Sequence, residues 1–321
     1  MTRNVFYGPY IFLREGLLKH SFKTHVKYQF ELPAHYDLFG TMRFGRFGKW
    51  DPAQTLTEDR FVKVTRLAGA ICVIEARRLG QLLSVEVLSE EEVFSRQSML
   101  RFFGLHCPPL RVSGHPTLER LSRQMTGLHL GVSVSLGYDM IRTVFQQLIE
   151  WRDAARIWRQ WLLRDGTPLD DYGLHCPPSF RDIRGQSLDR LHRCGLSRKR
   201  AGVVRELARF GDRLDGWNHL DDTTLKRRLK AIRGIGDWTA EHCLGFSLNQ
   251  PDIVITGDYQ LPHTVAWVLA GEARANDSRM LTLLEPWKGH RWSVLRLIFA
   301  SDIRAPRRGP RLNKGRASRP R

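Results

Sequence analysis

The 321-residue chain sets 51 Lys and Arg against 33 Asp and Glu, a formal charge of +18, with 42% hydrophobic residues, ordinary for a globular protein with more than one core. That excess of positive charge suits a polyanion, either nucleic acid or an anionic membrane. No apolar run is long enough to span a bilayer, and Met1-Thr2-Arg3-Asn4 leads into no signal-peptide core, so nucleic acid in a cytoplasmic setting is the stronger expectation.

Residues 1–104 read as a small α+β domain. Val26, Tyr28, Phe30 and Leu32 alternate with polar residues, as do Leu83, Val85 and Val87, and Ala70, Cys72, Ile74 and Ala76 share the same period of two. This spacing predicts strands with one buried face. Ser89 and Glu92 have the spacing of a capping box, which predicts a helix carrying Val93, Leu100 and Phe103. From about Thr117 the reading is helical: 137–148 carries Ile141, Val144, Phe145 and Leu148 at helical spacing, and 151–163 carries Trp151, Trp158 and Trp161 as a core stripe.

Five cysteines at 72, 107, 176, 194 and 243 form no C-x-x-C pair, which suits a reducing compartment and supplies no disulfide framework. Gly-Leu-His-Cys-Pro-Pro occurs at both 104–109 and 173–178. Two His-Cys pairs could in principle make a zinc site, but the close ligand spacing is missing and no metal is expected. Further helices are predicted over 198–214 and 292–299, with a basic, acid-free tail over 304–321.

The most informative stretch is 225–268. A basic helix over 225–232 stops at Arg233-Gly234-Ile235-Gly236, and a second helix starts at Asp237-Trp238-Thr239-Ala240. Two glycines flanking one apolar residue permit a tight turn with positive φ, with Ile235 plugging the turn into the core. The amides opening the second helix then face outward as an anion site. Lys226, Arg227, Arg228, Lys230 and Arg233 surround it, and no acid lies between Leu225 and Gly236.

The string L-x-x-I-x-G-I-G-x-W-T-A resembles the helix–hairpin–helix of DNA-repair glycosylases, and the loop from Pro251 to Asp258 resembles the one that carries their catalytic acid. The similarity covers Thr117 to about Phe299. It extends loosely, through the PAHYDLFGTMRFG segment and the order of elements, to the N-terminal domain of the bacterial 3-methyladenine DNA glycosylase II branch. The resemblance implies an α+β N-terminal domain (1–104), a mainly α-helical helix–hairpin–helix glycosylase domain (105–303) and a flexible basic tail.

It also implies roles. Asp258 would be the catalytic acid, although by local rules alone it is an N-cap or turn residue. Trp238, Tyr259, His242 and Phe299 would line the substrate pocket, with His242 standing where alkyl-purine relatives have Tyr. Arg233, Gly234, Ile235, Gly236, Asp237 and Thr239 would bind DNA. Gln147 and Leu148 fall where the family has a Gln and a residue that wedges into the base stack; by pattern alone Leu148 is equally a core residue. Bifunctional members carry a lysine two residues after the second hairpin glycine, where this chain has Trp238. Iron–sulfur relatives carry four cysteines after the catalytic region, and none follows Cys243.

The expectation is therefore a monofunctional glycosylase for alkylated purines, acting as a monomer on damaged double-stranded DNA. It would need no cofactor, with at most a monovalent cation on the hairpin carbonyls. The alternatives are a noncatalytic helix–hairpin–helix DNA-binding module and a glycosylase for oxidised bases.

Overall fold

The computed structural model describes residues 22–306, so most of the basic tail expected over 304–321 lies outside the described residues. Strands β1 (Thr24–Glu31), β2 (Gln54–Leu56), β3 (Arg60–Leu67), β4 (Ala70–Leu79) and β5 (Leu82–Ser89) form one antiparallel sheet in the order β1-β5-β4-β3-β2. The two tight hairpins turn through Ala68-Gly69 and Gly80, all in the left-handed region.

The sheet departs from the expected single buried face. β4 is buried at every position from Ala70 to Ala76. Cys72, Ile74, Ala76, Leu83 and Val85 pack on one side with Tyr36, Leu38, Phe102 and Phe103. Val62, Val64, Ile71 and Val73 pack on the other side with the helices. A strand covered on both faces loses the polar alternation that marks a half-exposed one. The helix after the sheet also starts later than its spacing predicted. Ser89 ends β5 and hydrogen-bonds Thr24, whereas Ser95 and Ser98 make the capping box of α2 (Arg96–Phe102), following α1 (Leu38–Met42).

The helical part comprises α3 (Pro116–Gln124), α4 (Leu136–Gln146), α5 (Trp151–Asp165), α6 (Phe180–Gly185), α7 (Leu188–His192), α8 (Arg198–Phe210), α9 (Asp222–Lys230), α10 (Asp237–Leu248), α11 (Leu261–Ala270), α12 (Asp277–Leu284) and α13 (Arg291–Ala300). A short ladder of β6 (Thr167–Leu169) and β7 (Leu174–Cys176) follows α5. Two cores divide these elements. One gathers α4 to α10 around Ile141, Phe145, Trp158 and Trp161, while Trp151 of the expected stripe is 49% exposed. The other joins α3 to α11, α12 and α13 around Leu118, Val265, Met280 and Trp292. The chain thus runs through part of the second helical lobe, completes the first, and returns. α10 borders both, with Leu244 in the first core and Phe246 packed on the second.

The two Gly-Leu-His-Cys-Pro-Pro copies do not converge. The first follows α2, with Cys107 Sγ against the Gly104 carbonyl at 3.6 Å; the second supplies β7, with Cys176 Sγ buried on the Thr65 carbonyl at 3.2 Å. Among the described residues no group of three His, Cys, Asp or Glu side chains gathers as metal ligands. What the copies share is a glycine at positive φ, +70° at Gly104 and +62° at Gly173.

Candidate active site and nucleic-acid interface

The site is built where α9, α10 and α11 meet. α9 ends at Lys230 and the chain turns through Gly234 at φ +91°, where a Cβ would lie 2.2 Å from Val203 of α8. Gly234 is therefore required twice, by conformation and by close approach. Gly236 differs from the expectation: its backbone is extended at φ −99°, and a Cβ there would meet open space. What Gly236 leaves clear is the approach from outside. Ile235 is buried in the first helical core, while Arg233, Gly234, Gly236 and Asp237 are exposed.

No side chain caps the N-terminus of α10, so its opening amides face outward at the positive end of a twelve-residue helix. The surrounding charge is smaller than the basic count suggested. Lys230 holds Asp237 at 2.8 Å, and Lys226 bridges Asp237 at 3.3 Å and Glu241 at 2.7 Å. Arg228 lies over the Trp217 ring. Thr239 is buried, its hydroxyl accepting from Gln147 Nε2 at 2.9 Å, so its side chain is not offered at the surface.

Gln147 also donates to the Gly234 carbonyl at 3.1 Å, tying the end of α4 to the hairpin. Leu148, next along, is 96% exposed and sits at φ +58°, a left-handed conformation unusual for leucine. It is not a core residue; it projects an apolar side chain into solvent beside the hairpin. Of the carbonyls that a hairpin-bound monovalent cation would use, Ile232 and Gly234 each accept one donor, and each keeps a second lone pair for such an ion.

Asp258 lies in the loop leading to α11. Its Oδ1 accepts from the amides of Gln260 and Leu261, both at 2.8 Å, which makes it a cap of α11. Its Oδ2 accepts from the indole Nε1 of Trp238 at 2.9 Å. The carboxylate is thereby fixed in orientation by three donors while remaining only half-buried. Two residues earlier, the Thr256 amide and hydroxyl donate to Glu241 Oε2 at 2.8 and 2.9 Å, fastening the loop to α10. Asp252, at the loop's start, is held by Arg291 in a bidentate pair and by the Gly289 amide, which pulls its carboxyl below the usual range.

From Asp258 an aromatic face runs inward along α10. Trp238, His242 and Phe246 stand four residues apart on one side of the helix, with ring centroids 5.1 and 4.6 Å apart. Phe246 continues to Phe299 at 5.1 Å and Trp292 at 4.9 Å. Burial, reinforced by the Arg142 cation, pushes His242 down to about 3, so it is neutral at physiological pH and adds no positive charge to this face. Tyr259 does not join it: the ring is 83% exposed and meets His263 edge-on. Adjacency to Asp258 in sequence misled here, because the chain bends at Tyr259 and Gln260 as it enters α11. Sequence reasoning missed Phe246, although its spacing of i+8 from Trp238 marked it, and it missed Phe44 and Arg296, which reach the same face from other elements.

No protein-family model matches the chain. It is 22% identical over 237 residues to a putative DNA-3-methyladenine glycosylase, YfjP, of Bacillus subtilis, covering 71% of this chain and 82% of that one. In fold it is similar to a 3-methyladenine DNA glycosylase from Archaeoglobus fulgidus, with a TM-score of 0.74 at 19% identity over 86% of this chain and 98% of that one. It is also similar to an 8-oxoguanine glycosylase/lyase of Clostridium acetobutylicum solved with double-stranded DNA, with a TM-score of 0.63 at 12% identity over 87% and 97%. Hairpin motif, fold and sequence relative point the same way, and the chain resembles the helix–hairpin–helix DNA glycosylases.

Proposed function

We propose that this protein is a monofunctional DNA glycosylase that flips damaged purines of the alkylated type out of double-stranded DNA and hydrolyses their N-glycosidic bond. The observation that carries this reading is the Asp258 carboxylate, fixed by Trp238 Nε1 and two backbone amides at the mouth of an aromatic face. The relatives named for 3-methyladenine support the substrate class.

A base inside a duplex is inaccessible, so the nucleotide must leave the stack. The uncapped amides of α10 hold a backbone phosphate near the lesion, and Leu148 fills the space that the base vacates. As the bond from C1′ to the base nitrogen breaks, its electron pair leaves with the base and the sugar becomes cationic. Asp258 stabilises that cation electrostatically and orients a water whose oxygen bonds to C1′. A purine that is cationic through alkylation departs neutral, and the water's proton passes to the carboxylate or to solvent. The expected products are free base and an intact strand with an abasic site. None of these steps is routed through a hairpin cation, whose role would be to offset phosphate charge.

Asp258→Asn removes the negative charge and keeps the cap. It should abolish nearly all base release from methylated DNA, a loss on the order of a thousandfold, while duplex affinity stays within about threefold. Base release by Asp258→Asn at the wild-type rate would leave a noncatalytic DNA-binding module as the better reading.

A further inference from the structure

At the inner end of the Trp238–His242–Phe246 face lies a partly open recess that catalysis by Asp258 does not use. A cavity of about 50 Å³ is lined by Phe44, Gln54, Lys63, Arg142, Phe246 and Arg296. That volume holds a few water molecules or one polar edge of a larger ligand. Arg142 is partly engaged: Nη1 donates to the Phe44 carbonyl at 3.3 Å, and Nε, without a hydrogen-bond acceptor among the described residues, pairs by charge with Asp139, also in the lining, at 3.7 Å.

Arg296 is not. It is 3% exposed, and among the described residues its Nε and Nη1 meet no acceptor; the Nε2 of Gln54, 2% exposed, is in the same position. Buried guanidinium donors left unpaired are costly, and a fold that keeps them there calls for an acceptor from outside. The guanidinium stacks 3.9 Å from the centroid of Phe44 and 5.3 Å from that of Phe246, so a protein cation already occupies these aromatic faces. Burial, with Arg43 nearby, pushes it down to about 9, which leaves it charged at neutral pH.

On the Phe44 and Phe246 faces a guanidinium is already in place, so a base reaching them gains most from its polar edge, where a carbonyl oxygen would find free donors. Phe246 belongs both to the face that starts beside Asp258 and to the cavity wall. The two helical turns from Trp238 to Phe246 span about 12 Å, room for a flipped base and one bridging water. We propose that Arg296, with Gln54, reads a carbonyl oxygen on the far edge of the flipped base, directly or through one water, so that the pocket prefers lesions bearing such an oxygen to those without one. This rests on the glycosylase reading and names the substrate class for it.

DNA treated with dimethyl sulfate carries 7-methylguanine, which has a carbonyl at position 6, and 3-methyladenine, which has none. Both are cationic in DNA, so charge repulsion cancels in the ratio of the two bases released by one enzyme in one reaction. Arg296→Met should lower the ratio of 7-methylguanine to 3-methyladenine about tenfold, the weight of one hydrogen bond to a charged donor. Arg296→Lys, which keeps a cation but loses the planar fork, should fall between. A ratio unchanged in both variants overturns the proposal. Should Arg296→Met fail to fold, the wild type still decides. Free hypoxanthine, with its 6-carbonyl, should raise the melting temperature more than free purine, and equal shifts overturn the proposal. Release of neither methylated base by the wild type, with hypoxanthine still preferred, would sink the alkyl-purine reading while leaving the carbonyl site intact.

Discussion

Leu148 shows how much a single residue can hide from pattern reading. On a helical wheel it extends the apolar face of α4, yet the helix stops at Gln146 and Leu148 stands free at φ +58°. Only the change of backbone conformation separates a core leucine from an exposed one, and no spacing rule reports that. A left-handed leucine with its side chain in water is unfavourable for folding on both counts. Leu148→Gly should therefore leave thermal stability unchanged or slightly higher, by up to about 1 kcal/mol. Release from duplex DNA should drop at least about tenfold, with a smaller drop on single strands, where no stack must be opened. Equal losses on the two substrates would speak against a wedge. Trp238 makes a second prediction of this kind. An indole supplies no amine to attack C1′, and its N–H is committed to Asp258. Borohydride should trap no covalent protein–DNA adduct, and the product strand should stay intact until alkali is added. Nicking at the rate of base release would contradict this.

Among the elements, the hairpin was the most legible because its signals are local: a glycine that must turn, an apolar plug, and a break between two helices. The ion pairs across it were not legible, since they depend on how α9 and α10 pack. Lys226 on α9 reaches Glu241 on α10, which is almost fully buried and accepts from both the amide and the hydroxyl of Thr256. Two residues beyond Thr256 stands Asp258. The helix that follows the hairpin and the loop that carries Asp258 thus share one carboxylate. Glu241→Gln keeps the shape but replaces one acceptor oxygen with a donor group facing other donors, at a cost of about 1–3 kcal/mol. The expected outcome is a melting temperature lowered by several degrees and a fall in the rate of base release, with duplex affinity changed less than the rate. An equal fall in affinity and rate would mean that Glu241 serves the hairpin alone. Tyr259 marks the opposite limit of local reading, because its neighbour's role placed it in the pocket and the turn of the loop sends it to solvent.

Across the whole molecule, composition and helical periodicity indicated a sheet followed by helices, but not how they share their cores. Alternation in β1 and β5 was a sound guide because one face of each is partly exposed, whereas the same period of two read in β4 concealed a strand covered on both sides. The covering on its second side comes from helices far along the chain: Val62, Val64, Ile71 and Val73 lie in one cluster with Ile141, Val144, Phe145 and Trp158. Polar links cross the same boundary. The Trp158 indole donates to Asp51 at 3.0 Å, Arg66 reaches the Pro177 carbonyl at 2.9 Å, and Arg43 reaches the Ala300 carbonyl at 2.7 Å. A cut at residue 104 would also separate the sheet from Phe44, Gln54 and Lys63's partners in the inner cavity wall, Phe246 and Arg296. Uncovering the helical side of that cluster, Ile141, Val144, Phe145 and Trp158, costs on the order of 10 kcal/mol, comparable to the whole stability of a domain. A fragment of residues 105–306 should therefore be aggregated or molten, and mixing it with residues 1–104 should restore base release only where the two associate. The intact protein should unfold with the sheet and the first helical core in one transition, seen as the same midpoint by tryptophan fluorescence and by circular dichroism. A fragment 105–306 that folds alone and releases bases at the full rate would show that the sheet is dispensable and that the inner cavity plays no part in choosing the base.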